Sequence, residues 1–221
     1  MEKLDLTQFE HLAVIAVDVQ NDFCPGGSLA VTEGGLVVPP LNSVINAMQK
    51  IDLARSKQPS LPLSSVIATR DWHPAETNHF SETPNFVDNW PIHCVANTLG
   101  ADFHPDLNIE SATIVEKGTK KDEDAYSGFE GKIADSGKKL TEALGSPPEK
   151  TALFIGGLAT DYCVQATVKD AANLGFKTYV LEDAIRGVAE ESSRKALNEM
   201  QAVAKFITTH QLNEAIKELL K

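Results

Sequence analysis

The sequence predicts an α/β protein built on a mostly parallel sheet covered by helices, and three observations carry that expectation. Short apolar runs alternate with amphipathic stretches along the chain, the pattern of strands joined by crossover helices. The 221 residues, 42% of them hydrophobic, suit one domain over 1–221 with a proper core. Reactive side chains fall directly after several of the apolar runs, where an open parallel sheet gathers its ligands.

Taken in order, His11–Val17 reads as the first strand and delivers Asp18 at its end. Pro39 and Pro40 open a helix whose Leu41, Val44, Ile45 and Met48 share one face. The Ser- and Pro-containing segment 56–62 reads as a surface excursion, and Leu63–Thr69 as a second strand that stops just before Asp71. Residues 72–111 show no clear period and hold four histidines. A stretch that long without regular structure in a compact domain is usually functional. Ala112–Glu116 is a third strand ending at Lys117, Lys138–Leu144 a helix and Thr151–Gly156 a fourth strand. A helix over Asp161–Leu174 closes on Gly175. Lys177–Leu181, Glu190–Ala204, Lys205–Thr208 and Gln211–Leu220 complete the alternation as strand, helix, strand, helix.

A net charge of −11 repels nucleic acid and anionic membranes alike. No apolar run approaches the roughly 20 residues of a spanning helix. The first residues, Met1-Glu2-Lys3-Leu4-Asp5, show no basic region leading into an apolar one. Cys24, Cys94 and Cys163 are an odd, widely spaced set with no C-x-x-C pair. These features describe a cytoplasmic protein with free thiols.

Asp18, Asp71, Lys117 and the turn before Cys163 each follow a predicted strand, so distant parts of the chain converge on one sheet edge. Thr160 or Asp161 is expected to cap the helix that follows, which puts Cys163 in its first turn. Free N–H groups and the positive dipole end there favour a thiolate and a lowered thiol pKa. A carboxylate such as Asp18 is costly at a sheet edge without a charged neighbour, and Lys117 supplies one if the strand ends meet. Base, cation and thiol together are what nucleophilic attack on an unactivated amide requires. The plain alternative is a structural ion pair beside an inert buried cysteine.

Asp71 and His73 stand at i and i+2, on one side of an extended segment, and His79 and His93 follow in the same irregular stretch. One carboxylate and three imidazoles suit a borderline divalent ion, and the absence of thiolates argues against a structural zinc site. Zinc would be satisfied by four such ligands, and a widened shell fits it equally; iron or manganese would need water or substrate to complete the shell. Cys94, beside His93, reads as packing.

Several segments resemble a known family. They are Val17-Asp18-Val19-Gln20-Asn21-Asp22-Phe23, Asp71-Trp72-His73-Pro74, Trp90-Pro91-Ile92-His93-Cys94, Glu116-Lys117-Gly118, Ala125-Tyr126-Ser127-Gly128-Phe129 and Ala159-Thr160-Asp161-Tyr162-Cys163. Together, and in consistent order, they look like the nicotinamidase/pyrazinamidase branch of the isochorismatase-like hydrolases. The resemblance implies a three-layer α/β/α sandwich with a parallel, six-stranded, Rossmann-like sheet. It implies a triad of Asp18, Lys117 and Cys163, and metal ligands Asp71, His73, His79 and His93. It further implies an oxyanion hole from the backbone N–H groups of Ala159 and Cys163, a cis peptide at Leu158–Ala159, and a substrate ring held by Phe23, Trp90 and Tyr126. The expected reaction is hydrolysis of nicotinamide to nicotinate and ammonia through a cysteine thioester, feeding NAD salvage, with pyrazinamide as a second substrate. The expected cofactor is one divalent ion, zinc first, with iron or manganese as alternatives. Relatives range from monomers to larger assemblies, so a homo-oligomer stays open. The segment 120–124 departs from the family pattern as a longer, more charged loop.

Other readings compete. Metal-free relatives act on isochorismate, which needs no cysteine nucleophile, or on carbamoyl amides, which need no four-ligand set. A metal-activated hydroxide could attack directly with Cys163 a bystander. A non-catalytic metal-binding or ligand-sensing protein could also keep the fold.

Overall fold

All seven side chains of β1 (His11–Val17) are buried, as a strand at the centre of a sheet covered on both faces must be. Its alternation divides the core in two: Leu12, Val14 and Ala16 join one apolar cluster, Ala13, Ile15 and Val17 the other. In this computed structural model, which describes residues 4–87, 89–145 and 147–221, the first cluster is closed by α1 (Val38–Arg55) and α5 (Thr209–Leu219). The second is closed by α2 (Leu140–Leu144), α3 (Gln165–Asn173) and α4 (Glu190–Gln201). The result is the expected three-layer sandwich.

The remaining strands are β2 (Leu63–Asp71), β3 (Thr113–Lys117), β4 (Lys132–Ile133), β5 (Thr151–Leu158), β6 (Lys177–Arg186) and β7 (Lys205–Ile207). They lie in the order β4-β3-β2-β1-β5-β6-β7. The six predicted strands are all present and mutually parallel. The seventh, β4, is a two-residue antiparallel addition on the β3 edge, too short to leave a period in the sequence. The chain runs outward from β1 through β2 and β3, then returns to β5 and runs outward the other way. The strand order therefore reverses between β1 and β5, and the crevice at that switch point is where such sheets bind ligands.

Local chemistry explains most element ends. Pro39 and Pro40 occupy the first turn of α1. Thr208 and Gln211 form a reciprocal capping box at α5, with Gln211 N–H donating to Thr208 Oγ1 at 3.2 Å and Thr208 N–H to Gln211 Oε1 at 2.8 Å. One expectation is corrected. Neither Thr160 nor Asp161 caps its own helix; a π-helical turn, Thr160–Val164, precedes α3 and has no side-chain cap. The Asp161 carboxylate instead caps α4, accepting from Val188 N–H at 2.9 Å, Ala189 N–H at 3.3 Å and Ser192 Oγ at 2.5 Å.

Where β1 meets β5 the backbone is tight. Val17 pairs with Gly157, whose φ is +127°, and a Cβ built there would lie 2.1 Å from the Val17 carbonyl oxygen. The next residue along β1, Asp18, sits at φ 48°. It is held there by its N–H to the Thr69 carbonyl at 3.1 Å, while Thr69 Oγ1 donates to Asp18 Oδ1 at 2.6 Å. Gly157→Ala is accordingly expected to cost ~2–4 kcal/mol of stability, read as a lower denaturation midpoint; an unchanged midpoint would refute the close approach.

Candidate active site

Three strand ends supply the polar floor of the switch-point crevice. Asp18 follows β1, and Asp71 and Lys117 are the last residues of β2 and β3, paired in register. The turn after β5 brings Cys163. Lys117 Nζ lies 2.9 Å from Asp18 Oδ2, donates to Cys163 Sγ at 3.3 Å and to the Ala125 carbonyl at 3.3 Å, and also binds Asp71 Oδ1. The sequence reading placed Asp18, Lys117 and Cys163 together, and the structure does so. It adds Asp71 to the same ammonium: ligand atoms of Asp18, Asp71 and Cys163 all lie within 4.8 Å of one another.

Burial sets the proton affinities. It pushes Asp18 above the usual carboxylate range, against the pull of Lys117. Burial also disfavours the charge of Asp71, but Lys117 and the neighbouring histidines overcome it and hold that carboxyl well below the usual range. The expected lowering of the Cys163 pKa is corrected. Burial drives the thiol well above its ordinary value; Lys117 opposes the rise and the two carboxylates add to it. Cys163 is thus a thiol of raised proton affinity beside a carboxylate whose proton affinity is raised as well. Asp18 Oδ2 is buried against the Lys117 ammonium, 2.9 Å away, and a ligand oxygen of Asp18 lies within 4.8 Å of the thiol sulfur.

The histidines come from the irregular stretch. His73 is held in place by its N–H to the Cys94 carbonyl at 3.0 Å and by Ala96 N–H donating to its own carbonyl at 2.8 Å. His79 and His93 flank it, with ring centroids 4.9 and 5.1 Å from His73. Each Nδ1 is engaged: His73 with the Gly118 carbonyl at 3.0 Å, His93 with the Pro91 carbonyl at 2.7 Å, and His79 with Asp124 Oδ1 at 2.7 Å. Gly118 allows this only because it lacks a side chain, since a Cβ there would lie 2.4 Å from His73 Cε1. With Nδ1 donating, the Nε2 lone pairs are left for a common ligand. His73 Nε2 is buried without a partner and lies 3.8 Å from Asp71 Oδ2, and the three imidazoles offer nitrogens within 4.8 Å of one another. Burial holds His93 at about 4 and His79 below its ordinary value, so both are neutral near pH 7, the form that ligates metal. This donor set fits a divalent ion.

Above the floor a small, largely apolar cavity opens to solvent. Phe23, Trp90 and Tyr126, the three ring-holding candidates, all line it, and Trp90 Nε1 donates to Tyr126 Oη at 3.2 Å. Ala159 and Cys163 line it too, and the Leu158–Ala159 peptide is cis. Sequence reasoning missed four residues. Tyr162 completes the aromatic wall, edge-on to Trp90 at 4.9 Å. Gln20 clamps Asp71 by accepting its N–H at 2.8 Å and donating to its carbonyl at 2.9 Å. Thr69 orients Asp18, and Asp124 binds His79. Tyr162 and Gln20 stood inside quoted motifs, but nothing in the spacing tied Thr69 or Asp124 to the site.

Comparison with known proteins agrees with this geometry. Residues 12–211 match the isochorismatase domain. The nicotinamidase/pyrazinamidase of Mycobacterium tuberculosis is 38% identical over 87% of this chain and 95% of its own length. The Escherichia coli nicotinamidase is also 38% identical, over 89% of this chain and 94% of its own. The crystal structure of Pyrococcus horikoshii pyrazinamidase in complex with zinc superposes with a TM-score of 0.69 at 39% identity, covering 89% of this chain and 98% of that one. With a family match over nearly its whole length and a sheet edge that gathers thiol, ammonium and carboxylate, the chain belongs to the isochorismatase family of hydrolases.

Proposed function

We infer that this protein hydrolyses nicotinamide to nicotinate and ammonia, using Cys163 as nucleophile beside a histidine-held divalent ion. The observation that carries the reading is the Lys117 ammonium in simultaneous contact with Asp18 and Cys163 at the floor of an aromatic-walled cavity. The relatives named nicotinamidase, at 38% identity over most of both chains, supply the substrate.

The pyridine ring fits between Phe23, Trp90 and Tyr126 with its carboxamide toward Cys163. Asp18 takes the thiol proton as sulfur bonds to the amide carbon, and Lys117 offsets the negative charge that appears. The carbonyl oxygen becomes an oxyanion facing the N–H groups of Ala159 and Cys163, each contributing about 10²–10³ in rate if it behaves like measured oxyanion donors. Asp18 returns the proton to the nitrogen as the C–N bond breaks and ammonia leaves. A water molecule, giving a proton to Asp18, then attacks the thioester carbon; the C–S bond breaks, the acid leaves as nicotinate, and Asp18 returns the proton to Cys163 Sγ. A divalent ion held by Asp71, His73, His79 and His93 would supply a Lewis-acidic anchor for the ring nitrogen; these N/O donors suit zinc, the ion in the P. horikoshii structure, in a shell that widens to admit the substrate. The product leads the enzyme into NAD salvage, and its three free, buried thiols suit a reducing cytoplasm.

Ammonia release from nicotinamide, and from pyrazinamide as its analogue, is the direct test. Cys163→Ala is expected to lower kcat/KM by at least ~10³; retention within tenfold would favour attack by a metal-activated hydroxide instead. Asp18→Asn should cost about 10²–10⁴. Because Asp18 must be ionised to accept the proton, and burial raises its pKa, kcat/KM should fall with decreasing pH along a limb displaced above the usual carboxylate range. That limb should vanish in Asp18→Asn. Dialysis against a tight chelator should remove about one equivalent of metal and the activity together; full activity in metal-free protein would eliminate the anchoring role.

A further inference from the structure

The charged loop 119–124 has no part in the chemistry above, yet it is tied to the turn that carries His79. The Lys121 carbonyl accepts from both Asn78 N–H and Thr77 Oγ1, each at 3.0 Å, and Asn78 Nδ2 donates to Asp122 Oδ1. The same Thr77 oxygen accepts His79 N–H at 3.2 Å. At the end of this clamp Asp124 Oδ1 stands 2.7 Å from His79 Nδ1.

The three imidazoles are not held alike. His73 and His93 donate Nδ1–H to neutral backbone carbonyls, whereas His79 donates to a carboxylate. A carboxylate partner secures the tautomer that leaves Nε2 free, fixes the ring plane and makes the imidazole a stronger donor. It also answers a charge problem. Asp71, the carboxylate that faces His73 Nε2, already shares its charge with Lys117 through Oδ1. A divalent ion among three neutral imidazoles would thus be under-compensated in a site where these groups are buried. Asp124 brings a second negative charge one imidazole away, with its own side chain 56% exposed and so not paying the full cost of burial.

We propose that Asp124 is a positioning residue for the metal: through His79 Nδ1 it orients and strengthens one ligand, and the 119–124 loop serves to retain the ion. The proposal rests on the reading that the histidines hold a divalent metal, so zinc titration of the wild-type protein against a chromophoric competing chelator comes first. Failure to bind one equivalent would overturn both. Given that equivalent, Asp124→Ala is expected to weaken zinc binding about 10–100-fold and to shift the visible absorption bands of the cobalt-substituted protein. The denaturation midpoint of the metal-free protein should stay within experimental error, because Asp124 is largely exposed. Asp124→Asn, which keeps an acceptor and loses the charge, should fall between wild type and Asp124→Ala. Glu123→Ala, in the same loop but paired with Lys120, should change neither affinity nor spectrum. Wild-type affinity and spectrum in Asp124→Ala would overturn the proposal while leaving the metal reading intact. Equal losses in Asp124→Ala and Glu123→Ala would also overturn it, assigning the effect to loop integrity.

Discussion

The Lys117 ammonium is the contact around which the rest of the site is arranged. It is wholly buried, and an isolated buried charge costs several kcal/mol in desolvation. Two carboxylates surround it, and each needs it as much as it needs them. Without the cation, Asp18 and Asp71 would be two buried negative groups with oxygens within 4.8 Å of each other, and one would have to take a proton. With it, their roles separate. Asp71, in contact with the ammonium and close to the histidines, is held below the usual carboxylate range, as the proposed role of metal ligand requires. Asp18 keeps the raised proton affinity that the proposed role of general base requires. Two carboxyl groups with opposed environments are the usual way one site holds both a fixed charge and a mobile proton.

The sheet makes this arrangement possible. Parallel strands end on one edge, and the register that pairs Asp71 with Lys117 sets the two side chains next to each other without help from a loop. β1 and β5 diverge in their connections, so the thiol can approach from the other side of the switch point. Support for the polar floor comes from beside the pocket: Thr69 on β2 orients Asp18, while Gln20, just past β1, holds the backbone of Asp71 on both its N–H and its carbonyl. The three candidate histidines sit instead on a long irregular excursion, held by backbone bonds at His73 and by partners on every Nδ1. Imidazoles locked before an ion arrives lose little freedom when it binds.

The strands were legible because buried parallel strands are unbroken apolar runs, and the convergence of Asp18, Asp71, Lys117 and Cys163 followed from where those runs stop. β4 was not, since two residues carry no period. Asp161 misled because its residue type and position are those of a helix cap; only the tertiary fold shows that the helix it caps is α4. The protonation of Cys163 misled for a related reason. A first-turn position is visible in sequence, but the depth of burial and the presence of two nearby carboxylates are not. Asp124 lies 45 residues from His79, on a loop whose path depends on hydrogen bonds to a turn that has itself no sequence signature.

The α4 cap made by Asp161 couples two things that look independent. Its carboxylate grips the backbone of Val188, a residue of the cavity wall, while its own main chain belongs to the turn that presents Cys163. Nucleophile turn, chamber wall and helix start are therefore tied through one carboxylate, and a substitution at Asp161 reaches all three at once.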